Sequence, residues 1–191
     1  MSLFRNRLMR IMQGIIKPDI PGKPLVKTDE SGNITSYQNT QEVSVTTADT
    51  EIDTEFLCFD GKDWEMHIYA HFQASEQTST YPTLLCCMQD SSPWPGITIR
   101  YEGTSFIIIF NDGAGTNHYY YQSPDDDGNV DIYITYKDNV ANGTLNGTQF
   151  MTDVTMSSMD LSSLQLSLMA DTGSAKRYGI GTIYEFYIRK L

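Results

Sequence analysis

Three carboxylates fall at alternate positions in Glu51-Ile-Asp-Thr-Glu55. Successive side chains of a strand point to opposite faces, so an extended backbone arrays Glu51, Asp53 and Glu55 on one side. Carboxylates so placed could cleave a glycosidic bond with retention, one as nucleophile and one, with a raised pKa, as acid. That chemistry needs the two carboxyls about 5–5.5 Å apart. Residues four apart on a flat strand are more distant than that, so the triplet needs a bulge or bend to work. Without one it is the acidic start of an ordinary strand.

A second set of residues suits sugar recognition by stacking. Trp94, His118, Tyr119 and Tyr121 combine flat rings with polar tips, which suits a wetted rim. The competing reading of His118-Tyr-Tyr-Tyr121 is an alternation of core and surface residues. His67 and His71 share a strand face, but four residues apart in a strand is too far for one metal, and no third ligand is evident. The loop Asp125-Asp-Asp-Gly-Asn129 fails as an EF-hand-like calcium loop, because Val130 stands where a glycine should follow the third ligand. A solvated turn is expected there. No glycine-rich phosphate loop, Ser/His/Asp set or Cys/His set is present, so no catalytic residue, metal or cofactor is predicted.

The elements that must position these residues are strands. In Asp63–Phe72, Trp64, Met66, Ile68, Ala70 and Phe72 alternate with Glu65, His67, Tyr69 and His71, giving one buried and one wetted face. Glu51–Phe59 precedes it, and Asp60-Gly61 reads as a tight hairpin turn joining the two. Further strands are predicted at Val43–Val45, Thr83–Met88, Ile97–Tyr101, Ser105–Phe110, His118–Gln122, Val130–Tyr136, Leu164–Ala170 and Gly181–Leu191. Gly143–Gly147 reads as a short hairpin. Phe106-Ile-Ile-Ile-Phe110 is continuously apolar, as in a strand buried on both faces. In the last strand Ile183, Glu185, Tyr187 and Arg189 alternate against Tyr184, Phe186 and Ile188. About ten strands at short spacing, with no core-length helix after residue 17, predict an all-β, two-sheet sandwich or jelly roll.

The 191 residues carry a formal net charge of −11, which argues against nucleic acid as a partner. The charge is uneven. Residues 1–27 hold six basic residues against Asp19 alone, and the rest is strongly acidic. Leu3, Phe4, Leu8, Ile11, Met12 and Ile15 recur at spacings of three and four, which predicts a short basic amphipathic helix ended by Lys17-Pro18. Pro18–Pro24 follows as a stiff spacer. Docking on another subunit is the preferred role for this arm, through Phe4, Arg5, Arg7, Leu8, Arg10, Ile11 and Ile15. The boundary between arm (1–41) and body (42–191) is placed near residue 42. No run approaches membrane-spanning length, and the N-terminus lacks the apolar core and cleavage site of a signal peptide. Cys58, Cys86 and Cys87 cannot form an even disulfide framework and read as core-filling thiols of a protein made in a reducing cytoplasm.

Four motifs in order, Ile52-Asp-Thr54 with Phe59-Asp60 and Lys62-Asp-Trp64-Glu, Pro95-Gly-Ile-Thr-Ile99, Asp127–Tyr136, and Gly181–Arg189, resemble the concanavalin A-like (laminin G-like) lectin/glucanase sandwich. The closest likeness is to the version in structural proteins of tailed bacteriophages. The resemblance covers about residues 48–191. It implies a two-sheet jelly roll whose concave face or rim loops often bind sugar. Glu51, Asp53 and Glu55 also look like the E-x-D-x-E triplet of laminarinase/lichenase-type glycoside hydrolases, though less chain precedes it here than that pattern has, and aromatic sugar platforms downstream are few.

The expectation is therefore a non-enzymatic virion protein of a bacteriophage, made in the host bacterial cytoplasm. It would be a head fibre, decoration or tail-associated adhesin in multiple copies or as a homo-oligomer. The arm would bind other virion proteins, while the body would meet host-surface or gut glycans, with no membrane partner. The alternative is a stand-alone glycan-binding protein or a retaining hydrolase using Glu51, Asp53 and Glu55.

Overall fold

The computed structural model describes residues 23–90, 94–112, 114, 117–156, 163–172 and 176–191. Its strands are β1 (Leu25–Thr28), β2 (Ile34–Gln38), β3 (Val43–Val45), β4 (Ile52–Leu57), β5 (Trp64–His71), β6 (Thr83–Met88), β7 (Gly96–Glu102), β8 (Ser105–Asn111), β9 (Asn117–Gln122), β10 (Asn129–Lys137), β11 (Val140–Leu145), β12 (Thr148–Thr155), β13 (Gln165–Leu168) and β14 (Gly181–Lys190). They form two antiparallel sheets packed as a jelly-roll sandwich. The larger runs β1-β2-β14-β5-β10-β11-β12, with β3 also on β14; the smaller runs β4-β13-β6-β7-β8-β9. The predicted arm helix and its docking residues Phe4, Arg5, Arg7, Leu8, Arg10, Ile11 and Ile15 lie outside the described residues.

The alternation in β5 survives folding: Trp64, Met66, Ile68, Ala70 and Phe72 are all fully buried. The apolar run of β8 is buried on both faces, as its composition predicts. Tight turns carry the chain wherever small polar residues accept the left-handed region. Asp138-Asn139 has φ of 51° and 60°, and Asn146-Gly147 has φ of 47° and 76°, values suited to two-residue hairpins. They join β10 to β11 and β11 to β12, so the hairpin read at Gly143–Gly147 is the middle of a longer three-strand meander.

Three expectations are corrected. The Asp60-Gly61 turn does not make a hairpin, because β4 and β5 belong to different sheets. Cys58 and Phe59 are buried between them, so the segment crosses the core instead of reversing at its surface. In β14 a register shift between Ile183 and Glu185 changes the parity, which puts Ile183, Phe186 and Ile188 together in the core. The sandwich also takes in chain ahead of residue 42. β2 pairs with β14 through Tyr187↔Gln38, Ile188↔Tyr37 and Arg189↔Ser36, and Tyr37 is a core residue. Asn39 splices β2 to β3 along the same strand, accepting from Phe186 N at 2.6 Å and donating to Tyr184 O at 3.3 Å. β1 and β2 were not legible because they are short and mostly wetted, and the Asp29 carboxylate caps the turn between them (Ser31 N at 3.0 Å, Asn33 N at 2.9 Å).

Phe59 is the pivot of the crossing. Its ring meets Trp64 (5.9 Å) and Tyr136 (5.5 Å) from the larger sheet and Phe110 (6.0 Å) from the smaller, all edge-on. Phe59→Ala should remove roughly 3–5 kcal/mol of unfolding free energy, by loss of buried area plus a residual cavity. Urea denaturation followed by Trp fluorescence measures it.

Candidate functional site

Strand pairing sorts the smaller sheet into a core face and an outer face. Core positions include Leu85, Ile97, Ile99, Phe106, Ile108 and Phe110. The outer face is read from the register. One row runs Ser167, Cys86, Thr98, Ile109, Tyr119, and the next runs Thr83, Arg100, Ile107, Tyr121. Ile107 (1% exposed) and Ile109 (4%) lie buried outside the core cluster. Beside them, Tyr119 (49%) and Tyr121 (67%) on the edge strand β9 are open to solvent. The outer face thus presents two open rings beside isoleucines that are themselves covered.

Tyr121 also stands where this face meets a groove at one end of the sandwich. A cleft of about 630 Å³ is lined by Tyr121 with Thr104, Gln122, Ser123, Asn146 and Thr148. A neighbouring cleft of about 490 Å³ shares Thr104, Gln122 and Ser123 and adds Gln73, Tyr101 and Asp125. Amides and hydroxyls beside an exposed ring are the groups a polyhydroxylated ligand needs.

The ring residues singled out in the sequence are only partly brought together. Tyr119 and Tyr121 share the outer face. His118 does not: alternation turns it, with Tyr120, to the opposite side, where the two rings stack at 6.4 Å and 9°. Its Nε2 is buried and makes no hydrogen bond among the described residues. His118 is therefore removed from the stacking set. Trp94 is 52% exposed, just before β7, with φ of 54°.

The carboxylate triplet does have a bend. Glu55 has φ of 58°, and pairing between β4 and β13 skips between Gln165 and Ser167. Two of its three side chains, however, hold the strand. Glu51 Oε1 accepts from Ser167 Oγ at 2.7 Å and from Lys176 Nζ at 2.8 Å, and Lys176 also donates to Asp171 O at 3.0 Å. Asp53 Oδ1 accepts Glu55 N at 3.0 Å. The Asp125 loop turns on itself in the same way, its Oδ1 accepting Asp127 N at 3.0 Å and Asn129 N at 2.7 Å. No group of three His, Cys, Asp or Glu placed to hold a metal occurs among the described residues.

A cluster that the sequence did not disclose lies beside Arg100. Its guanidinium carbon is 5.3 Å from the Tyr81 ring centroid, and that of Arg177 is 5.2 Å from the same ring. Arg100 is ion-paired with Glu102, and Arg177 Nε with Asp171 Oδ2 at 3.5 Å. Arg100 is outward by the alternation of β7 and could have been found. Tyr81 and Arg177 come from connections whose course no periodicity predicts.

The larger sheet's outer face carries a polar network beside a second pair of open rings, Tyr69 (38% exposed) and Tyr184 (39%), 5.1 Å apart. Tyr133 donates to Glu65 at 2.6 Å, Arg189 Nε donates to Glu65 at 2.6 Å, and His67 bonds Asp131 at 2.7 Å. His71 instead bonds Glu76, at 3.0 Å. Desolvation first, and the bond to Glu65 next, push the Tyr133 hydroxyl up to about 12. Desolvation, then the nearby Asp53 charge, does the same for Tyr37.

No family model matches the chain, and no curated protein matches it. Solved structures do share its fold. The CBM40 of a Ruminococcus gnavus IT-sialidase bound to α2,3-sialyllactose superposes with a TM-score of 0.57 at 8% identity, over 80% of this chain and 90% of that one. A mutant Trypanosoma rangeli sialidase gives 0.56 at 9% identity, over 82% of this chain and 28% of that one. A mutant NanB sialidase from Streptococcus pneumoniae gives 0.55 at 14%, over 81% and 26%. The chain thus spans only about a quarter of the two sialidases, and the likeness is one of fold. It shows a two-sheet jelly-roll sandwich.

An unfolded tyrosine ionises near pH 10. A folded value of about 12 means that Tyr133 and Tyr37 stabilise the protein fully below pH 10 and lose that contribution as pH rises towards 12. Urea midpoints measured from pH 8 to 12 should fall across that window. Tyr133→Phe, which has no hydroxyl to ionise, should show a shallower fall.

Proposed function

We propose that the sandwich is a non-catalytic glycan-binding module. The observation that carries this is the pair of solvent-open rings, Tyr119 and Tyr121, on an edge strand, above buried Ile107 and Ile109 and beside a polar groove. Pyranose rings present apolar C–H faces and polar hydroxyl rims, which such a surface complements. The fold shared with a CBM40 bound to sialyllactose supports the reading, as does engagement of Glu51 by Ser167 and Lys176. Isothermal titration against oligosaccharides first identified on a glycan array provides the test. Tyr121→Ala should weaken binding by about tenfold, the scale of one lost ring contact, while leaving the fold intact. Unchanged affinity would move the site elsewhere.

The module is displayed on a bacteriophage particle, as a head fibre, decoration or tail-associated adhesin in multiple copies. The motif resemblance and the contrast between a basic N-terminal stretch and an acidic body support this. Deletion of residues 1–17 should abolish incorporation into particles while leaving glycan binding by the purified protein intact. Western blotting of purified virions reads the first, and titration the second; normal incorporation would refute anchoring by the arm.

A second reading, a retaining hydrolase, draws on the bend at Glu55, which the triplet requires. Release of reducing sugar from laminarin or lichenan that disappears in Glu51→Gln would favour it.

A further inference from the structure

We infer that the glycan taken by this face is acidic, its carboxylate held by Arg100 and Arg177 beside Tyr81. This rests on the reading of the outer face as a glycan site and adds the ligand's charge class.

The chain is acidic, at −11, yet two guanidiniums converge here on one ring. Both are oriented before any ligand arrives. Glu102 accepts from Arg100 through Nε at 3.1 Å and through Nη2 as well, and Asp171 takes Arg177 through its backbone N (3.2 Å) and Nε (3.5 Å). Among the described residues the Nη groups of Arg177 make no hydrogen bond, and its side chain is 40% exposed. Arg177, paired through Nε, presents its Nη donors in one plane, which matches the two oxygens of a carboxylate, while Arg100 adds Nη1 beside it. Lysine has no such fork. Tyr81, itself over one-third exposed, adds a ring beside the bound group.

Register connects this cluster to the stacking surface. Arg100 is opposite Ile107, and Ile107 is opposite Tyr121. Two strand spacings put Arg100 and Tyr121 about 10 Å apart along the row. One short oligosaccharide can therefore place an acidic residue at the arginines and stack a neighbouring ring on Tyr121.

The test titrates the full chain with α2,3-sialyllactose, oligogalacturonate and oligoguluronate, each beside its carboxyl-reduced counterpart. At least one acid should bind about tenfold tighter than its reduced form, as expected for a charge-assisted contact, and that margin should shrink with added salt. Arg177→Gln should erase most of the margin. Arg177→Lys, which keeps a cation near Tyr81, should recover only part of it and serves as the readout if the glutamine variant unfolds. Thermal melts check the fold of each. Tyr121-dependent binding with no preference for the acids overturns this inference and leaves the glycan-binding reading standing. A preference for the acids that both Arg177 variants retain overturns the assignment to the arginines. Binding of no acidic or reduced probe overturns the inference, and if the glycan array is also blank, the reading beneath it.

Discussion

The structure depends on the crossing of the chain between its two sheets at residues 58–63. Phe59 is held there by rings from both layers, and Lys190 closes over it. Its ammonium bonds Leu57 O and Asp60, and lies 4.7 Å from the Phe56 ring. The last strand therefore fastens the point where the smaller sheet hands over to the larger. A buried ammonium is costly unless its donors are met, and here a carbonyl, a carboxylate and a ring meet them. With the crossing set, β5 lies at the centre of the larger sheet, and its alternation dictates which residues of β10 and β14 face the core.

The two outer faces then diverge in kind. On the larger sheet, Glu65, Tyr133, Arg189, His67 and Asp131 pair with one another, so polar atoms there are partnered within the protein. On the smaller sheet, the corresponding rows carry Ile107, Ile109, Thr83, Thr98, Tyr119 and Tyr121, with Arg100 among them on β7. On the proposed reading, the exposed rings and the oriented guanidiniums of this side suit a ligand that combines C–H faces with a charged group.

Long-range contacts also engage the carboxylate triplet. Glu51 meets Lys176 across 125 positions of chain, through a connection with no periodic pattern. Spacing alone showed three carboxylates sharing a face. It could not show that one of them would be engaged by a lysine, nor that Glu55 would bend the strand.

Most strands of the body, though not β11 and β12, its all-β class and the two-sided burial of β8 were legible from the sequence, because these follow from side-chain period and turn chemistry within a few residues. The sequence also placed Tyr119 and Tyr121 on one face, and the same rule separates His118 from them. Tertiary structure alone decided that β4 and β5 part company at Asp60-Gly61, that β1 and β2 join the larger sheet, that β14 changes parity at Tyr184, and that Tyr81, Arg100 and Arg177 converge. Each of those depends on which distant segment supplies the partner, and pairing energy is gained only when both segments are buried together. Local pattern carries no record of that choice.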